Sequence, residues 1–147
     1  MPPEMENNSP ERSMEDYLMK IAVVTEDGIN VSQHFGRAPY YLVVDVEGGK
    51  ITGRVQRPKT GHQHFAGHGE MAGARHGFDA ASQARHASMI DTIADCQVVI
   101  AGGMGWGAYE SLKNRSLEVV VTDVPKIDEA VNLYIQGKLP NLMERLH

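Results

Sequence analysis

The chain has 147 residues, of which 41% are hydrophobic and 22% are charged, and its formal net charge is −5. This length suits a single domain with a buried core, and apolar runs such as Val98–Ala101 are far too short to cross a bilayer. No basic segment followed by an apolar stretch opens the sequence, which argues against a secretory signal. The single cysteine, Cys96, excludes a disulfide framework and any site built from several cysteines of this chain. These features favour a small protein of the reducing cytoplasm.

Charge is unevenly distributed along the chain. Residues 1–18 carry five carboxylates against one arginine, a net charge of −4, and have few apolar side chains. They are therefore expected to form a disordered acidic tail, with residues 19–147 as a single domain. Within that domain, residues 53–86 have a net charge of +3 and contain five of the seven histidines. Such a segment can attract an anionic ligand, and a solvated loop with scattered charges is the simpler interpretation.

The first half of the domain is predicted to be β-rich. Residues 20–25 form a short β-branched run, and residues 40–46 and 50–56 are two further runs of this kind. Because the last two are joined by Glu47-Gly48-Gly49, they indicate a β-hairpin. Residues 57–78 then contain glycines and histidines without periodicity, which predicts a flexible loop. A loop of this length in a compact domain is commonly either functional or disordered.

The second half alternates between helical and strand patterns. Helices are predicted over residues 79–95, 108–114 and 127–136, and strands over residues 97–101 and 117–122. Asp79 is suited to cap the first of these helices, and Gly137 to end the last. The strand–helix–strand unit should have parallel strands and a right-handed crossover. The element order predicts an α/β domain, in which helices cover a mixed sheet.

One candidate site is the turn that follows the strand over residues 97–101. Its residues are Gly102, Gly103, Met104, Gly105, Trp106 and Gly107. Backbone N–H groups and the dipole of the following helix form an anion site at such a position, and glycines let a ligand approach closely. The turn is not a phosphate loop, because no Gly-Lys-Ser/Thr follows it, and it does not match the dinucleotide pattern, because its third glycine comes one position early. Trp106 either walls a pocket or caps the core, and a tight turn without a ligand is the alternative.

A second candidate site follows the first strand. Its residues are His34, Phe35, Gly36 and Arg37. A histidine before Phe-Gly can present its imidazole to a metal while Phe35 anchors the loop, and Arg37 can complement an anion. A histidine that is only hydrogen-bonded within its loop is the alternative.

The third feature is a cluster of histidines. They are His62, His64 and His68, with His76 and His86 further along the chain. Clustered imidazoles can bind zinc, nickel, copper or iron, so His64, His68 and His86 join His34 as candidate metal ligands. The spacing matches no defined zinc motif, and adventitious metal binding by a flexible loop explains it equally well. His86 differs because it lies on a predicted helix.

Catalytic sets are not evident in the sequence. A two-metal nuclease needs acidic groups that hold metals roughly 3.5–4 Å apart. No pair has suitable spacing among Asp27, Asp45, Asp91, Asp95 and Asp123. No Ser-His-Asp set or Cys-His dyad stands out either. The sequence therefore predicts a binding protein and not an enzyme.

Four segments occur in an order that resembles a known family. They are Ile21-Ala-Val-Val-Thr25, Ser32-x-His34-Phe-Gly-Arg37-Ala-Pro39, Gly102-Gly-Met-Gly105-x-Gly107-Ala108 and Ala130-x3-Tyr134-x2-Gly137-x-Leu139. Over residues 19–140 the chain is similar to the dinitrogenase iron–molybdenum cofactor biosynthesis (NifX/NifB-type) family, which includes small stand-alone members and orange-protein-like relatives. The resemblance implies a ribonuclease-H-like α/β fold with a mixed five-stranded sheet and about three covering helices.

The resemblance also implies a function. It implies that the protein binds or carries an anionic metal–sulfur cluster, such as an iron–molybdenum cofactor precursor or a molybdenum–copper cluster. An accessory role in cofactor assembly follows, with a cluster-assembly protein as partner and with neither nucleic acid nor membrane involved. Some relatives have a cysteine just after His-Phe-Gly-Arg, where this chain has Ala38-Pro39, so that thiolate contact is absent.

Imidazoles, arginines and turn amides would therefore hold the cluster, without a cage of thiolates. The 34–37 loop and the 102–107 turn are expected together near the edge of the sheet, with the histidine-rich loop as a lid. Three alternatives stay open. One is a mononuclear metal-binding protein that uses the histidine-rich loop, and another is a metal-dependent nuclease on the same fold. The third is a purely structural role, in which the tail or the loop recruits a partner.

Overall fold

Five strands form one mixed sheet in residues 18–59 and 87–147, the part of the chain that the computed structural model describes. The strands are β1 (Leu18–Thr25), β2 (Tyr40–Glu47), β3 (Lys50–Pro58), β4 (Val98–Ala101) and β5 (Glu118–Val121). Their order is β3-β2-β1-β4-β5, with β1 antiparallel to β2, β2 antiparallel to β3, and β4 parallel to both β1 and β5. The predicted α/β class and mixed five-stranded sheet are confirmed, and the arrangement is compatible with a ribonuclease-H-like fold.

Three helices accompany the sheet in the part of the chain that the structure describes. They are α1, described over residues 87–91, α2 (Trp106–Asn114) and α3 (Ile127–Ile135), and a 3₁₀ turn (Met143–Arg145) follows. Among the described residues, no helix has both the length and the apolar character that a bilayer crossing requires.

Alternating side chains of β1 build a core on each face of the sheet. Ala22 and Val24 belong to one apolar cluster, and Ile21 and Val23 to the other, because successive side chains of a strand point to opposite faces. The first cluster includes buried residues of α1 and α2, and the second includes those of α3. Helices therefore cover both faces, and the strand ends and their loops carry the exposed chemistry.

The β2–β3 hairpin is confirmed and is longer than predicted. Gly48 and Gly49 have φ angles of 65° and 77°, a conformation that glycine adopts without a steric penalty. β3 continues to Pro58, so residues 57 and 58 belong to a strand and not to the flexible loop that the sequence indicated over 57–78. At this end of β3, Arg57 pairs with Tyr41 of β2.

β1 also begins earlier than predicted, at Leu18 instead of residue 20. Leu18 and Met19 pair with Glu47 and Val46, because the extended partner strand β2 offers them hydrogen bonds. Leu18, which the sequence assigned to the tail, therefore belongs to β1. Residues 1–17 and 60–86, with the rest of the tail, most of the histidine-rich loop and the Asp79 cap, lie outside the described residues.

Two helix boundaries differ from the prediction. The helical pattern was expected to reach Asp95, but α1 ends at residue 91, after which i→i−3 bonds such as Cys96 N–H to Ile93 O tighten the chain into turns. α2 begins at Trp106, two residues early, because Tyr109 N–H bonds to Gly105 O and closes the first turn.

The end of α3 is as predicted. Gly137 has a φ of 74°, and its N–H bonds to Tyr134 O while Lys138 N–H bonds to Leu133 O. This pair of bonds is the Schellman arrangement, which a glycine at this position favours.

Candidate functional site

The two candidate loops of the sequence lie together in the structure. β1 and β4 are parallel neighbours, so the loops that follow their carboxyl ends share one end of the sheet. Two backbone hydrogen bonds join these loops: Gly102 N–H donates to Ser32 O at 2.8 Å, and Phe35 N–H donates to Gly103 O at 3.0 Å. We call residues 32–37 and 102–107 together the loop junction.

Gly102 and Gly103 make this close approach possible. A Cβ on Gly102 would lie 2.9 Å from Ser32 O, and a Cβ on Gly103 would lie 2.6 Å from Gln33 O. Both distances are shorter than carbon–oxygen contacts allow. These two glycines therefore allow the two loops to pack closely. This is the role that the sequence offered as the alternative to ligand binding, a tight turn without a ligand.

The 34–37 loop combines a buried anchor with exposed neighbours. Phe35 is 1% exposed, and its ring lies 6.3 Å from that of Tyr41, so Phe35 anchors the loop as predicted. His34, Gly36 and Arg37 are exposed. No hydrogen bond or ion pair to the His34 imidazole or the Arg37 guanidinium is found within the described ranges. Both groups are available to a ligand.

The 102–107 turn exposes less than the sequence suggested. Met104 is 2% exposed and packs in the core, so its side chain is not available to a ligand. Trp106 opens α2 and is 45% exposed, with its ring edge-to-face with Tyr109 at 5.7 Å. Gly105, the N-cap residue of α2, provides no side-chain cap. The first-turn N–H groups of α2 therefore have no side-chain acceptor at the cap.

The C-terminal segment contacts the loop junction, which sequence reasoning missed. Arg145 donates through Nε to Gly102 O at 2.7 Å and through Nη2 to Gln33 Oε1 at 2.5 Å. His147 N–H donates to Met104 O at 3.1 Å. Arg145 thereby ties both loops of the junction together. No motif or periodicity around Arg145 signals this contact.

Lys59 is a second residue that sequence reasoning missed. It is 4% exposed, its Nζ donates to Phe35 O, and it lies 4.3 Å from the Phe35 ring centroid and 5.4 Å from that of Tyr41. Burial lowers the pKa of the Lys59 ammonium to about 7. The sequence placed Lys59 only within a cationic segment, because a lysine after a proline ordinarily belongs to a solvated loop.

Cys96 lies at the opposite end of the sheet. Its neighbour Gln97 donates to Lys20 O near the start of β1, whereas the loop junction follows the end of β1. Cys96 is 6% exposed, and burial raises the pKa of its thiol to about 12. The only cysteine of the chain is therefore protonated and away from the junction.

Four of the five aspartates considered for a nuclease site have partners of their own in the structure. Asp45 pairs with Lys20 at 2.9 Å, Asp91 with Arg115 at 2.7 Å, and Asp95 with Arg57 at 2.8 Å. Asp27 accepts the backbone N–H groups of Ile29 and Asn30, which holds the pKa of its carboxyl well below the usual range.

No group of three or more His, Cys, Asp or Glu side chains in residues 18–59 and 87–147 could hold a metal ion. This part of the chain offers the nuclease hypothesis no metal centre. His64, His68 and His86, like His62 and His76, lie outside the described residues, so a metal role for them stays a prediction.

Similarity to known proteins extends over most of the chain. A family model described as dinitrogenase iron–molybdenum cofactor matches residues 18–137, which include both loops of the junction and α3. An uncharacterized protein of Methanocaldococcus jannaschii is 27% identical over 122 residues, which are 83% of this chain and 90% of that protein.

Solved structures show the same fold. The crystal structure of PH0822 is similar with a TM-score of 0.57 and 27% identity, over 84% of this chain and 94% of that one. The apo form of the orange protein from Desulfovibrio gigas has a TM-score of 0.59 at 17% identity, over 86% of this chain and 95% of that one. At that identity the likeness concerns the fold alone.

Proposed function

The chain belongs to the dinitrogenase iron–molybdenum cofactor family, and from this premise we propose that its loop junction binds an anionic metal–sulfur cluster. The cargo is an iron–molybdenum cofactor precursor or a molybdenum–copper cluster, and the role is accessory to cofactor assembly. The protein holds or carries its cargo and does not transform it. A cluster-assembly protein would be its partner, and the reduced, buried Cys96 is in keeping with a cytoplasmic location.

The observation that carries the proposal is the hydrogen bond from Phe35 N–H to Gly103 O. It joins the two motifs of the family resemblance into one surface, and this surface exposes an imidazole and a guanidinium, those of His34 and Arg37. Trp106, the exposed first residue of α2, belongs to the same surface, where the dipole of the helix start favours an anion. An exposed imidazole and an exposed guanidinium on one surface suit an anion.

The donor set favours a cargo that can leave. Iron–sulfur clusters that stay with their protein are held by several cysteine thiolates. Here the one thiol is buried and protonated, so the donors at the junction are an imidazole, a guanidinium and backbone N–H groups. The sulfides of a cluster can accept hydrogen bonds from these groups. Binding without a thiolate cage is what a carrier needs, because the cargo must be handed on.

An anaerobic absorbance titration with tetrathiomolybdate, with and without Cu(I), tests the proposal. We expect saturable binding that is about tenfold weaker in His34→Ala and in Arg37→Ala, the size of one lost charge-assisted contact. Lys50→Ala is the matched control, because Lys50 is exposed at the hairpin turn, at the other end of the sheet. Equal affinity in all four proteins, or no binding to the wild-type protein, would overturn the proposal.

A variant lacking residues 60–77 separates the proposal from metal binding by the histidine-rich loop. The proposal predicts that tetrathiomolybdate binding survives the deletion. If binding instead survives His34→Ala and is lost on deletion, the histidine-rich loop with His64 and His68 is the site, and the loop junction is not.

A further inference from the structure

Lys59 is a buried cation without a carboxylate partner in the described part of the chain. Lysine is almost never fully buried unless it is paired, because burial removes the hydration of its charge. The ammonium of Lys59 is stabilised by the carbonyl oxygen of Phe35 and by the faces of the Phe35 and Tyr41 rings. Packing alone does not explain a buried ammonium in contact with Phe35 of the loop junction.

Lys59 holds the loop at two points. Its backbone N–H donates to Pro39 O at 2.9 Å, and its Nζ donates to Phe35 O. Pro58, the preceding residue, lies opposite Tyr40 in the sheet, so the backbone of Lys59 is fixed by β3. The ammonium therefore transmits the rigidity of the sheet to the peptide bond that follows Phe35.

The orientation of that peptide bond decides where Gly36 N–H points. The bond is trans, so its C=O and N–H groups point in opposite directions. Because Phe35 O faces the buried ammonium, Gly36 N–H faces away from the core. Gly36 is exposed, and a Cβ built on it meets nothing within 4 Å. No acceptor for Gly36 N–H occurs among the described residues.

We propose that Lys59 is a positioning residue of the loop junction, whose ammonium holds the Phe35–Gly36 peptide so that Gly36 N–H is presented outward to an anionic ligand. In the sequence, Gly36 lies between His34 and Arg37, whose side chains are both exposed. Its N–H is therefore a backbone donor of fixed direction beside the imidazole and the guanidinium. The identity of the ligand rests on the proposed function, whereas the orientation of the peptide does not.

The test compares Lys59→Met, Lys59→Arg and the exposed control Lys50→Met. Lys59→Met keeps the length of the side chain and the backbone bond to Pro39, and removes only the ammonium. It should fold, because an apolar side chain of similar length avoids the cost of burying a charge. Lys59→Arg keeps a charged donor for Phe35 O.

The first measurement needs no ligand. Amide hydrogen exchange is followed at about pH 6.5, below the pKa of Lys59, for Ala38, whose N–H bonds to His34 O across the loop. We expect exchange at Ala38 to be about tenfold faster in Lys59→Met, with exchange in β1 and β4 no faster than in the wild-type protein. Lys59→Arg and Lys50→Met should match the wild-type protein. The proposal would be overturned if Ala38 exchanged at the wild-type rate in Lys59→Met, or if it exchanged faster than in the wild-type protein in a folded Lys59→Arg.

The second measurement uses tetrathiomolybdate. We expect its addition to shift the Gly36 amide resonance of the wild-type protein, and affinity to fall about tenfold in Lys59→Met but not in Lys59→Arg. A Gly36 resonance that stays unshifted while the wild-type protein binds would overturn the positioning role alone. Failure of the wild-type protein to bind refutes the proposed cargo, and hydrogen exchange then still decides the role of Lys59 in the loop.

Discussion

The backbone N–H of Phe35 donates to the carbonyl oxygen of Gly103 at 3.0 Å, which joins the loop after β1 to the loop after β4. Both loops are also anchored to the core, one by the Phe35 side chain and the other by Met104. The anchors fix the frame of the loop junction and leave His34, Gly36 and Arg37 on its surface.

Gly103→Ala should break the contact between the loops. The new methyl group would meet Gln33 O at 2.6 Å, so the backbone must move, and we expect the free energy of unfolding to fall by about 1–3 kcal/mol. Gly36→Ala is the matched control: its methyl group enters open space, and it should change stability by less than about 1 kcal/mol. Thermal and urea unfolding measure both variants. Equal effects of the two substitutions would contradict the packing role of Gly103.

Arg145→Ala should loosen the junction from the side of the C-terminal segment. The variant loses the bonds to Gly102 O and Gln33 Oε1, which should lower the free energy of unfolding by about 1–3 kcal/mol. Arg115→Ala removes an exposed ion pair with Asp91 and should cost less than about 1 kcal/mol. Urea unfolding measures the free energy of unfolding of both variants. A larger decrease in Arg115→Ala than in Arg145→Ala would contradict the role of Arg145 in the junction.

Local sequence signals predicted the elements of the fold. The β2–β3 hairpin follows from two β-rich runs around Gly48 and Gly49, whose positive φ angles the turn requires. The end of α3 follows from Gly137 for a similar reason. The pairing of the 34–37 loop with the 102–107 turn was also expected, since both follow strands that the resemblance places in one sheet.

Lys59 and Arg145 could not be found in this way. Their contacts join residues far apart in the chain, and such contacts leave no period or turn signal in the sequence around either residue. The burial of Lys59 depends on the Phe35 and Tyr41 rings, whose mutual position only the folded sheet defines. The same limit explains Met104, which the glycine-rich turn suggested as a ligand contact but whose side chain lies in the core.

Lys59 should make stability depend on pH. Its pKa is about 7 in the folded protein, against 10.5 for an ordinary lysine, so between these values the unfolded chain binds a proton that the folded protein has released. The free energy of unfolding therefore rises with pH in this window, by up to about 1.4 kcal/mol per pH unit.

Urea unfolding between about pH 7 and 9 measures the effect, and Lys59→Met isolates it, because the other titrating groups cancel in the difference. Stability of the wild-type protein should rise towards that of Lys59→Met as pH increases. Parallel curves for the two proteins would show that Lys59 does not lose its proton in this window.

Cys96 should be dispensable for ligand binding. Its thiol is buried and protonated at the end of the sheet away from the loop junction, so Cys96→Ala should bind tetrathiomolybdate with wild-type affinity. Alkylation by iodoacetamide should likewise be slow until the protein unfolds, because the thiolate is the reactive form. Loss of binding in a folded Cys96→Ala would mean that the cargo contacts the thiol.

The central claim is that the loop junction holds an anionic metal–sulfur cluster. Anomalous diffraction at the molybdenum absorption edge, from crystals grown anaerobically with tetrathiomolybdate, tests it most directly because it locates the metal itself. The account predicts a molybdenum peak beside the exposed residues His34, Gly36 and Arg37. A molybdenum peak against residues 60–86 or beside Cys96, with none at the loop junction, would contradict it.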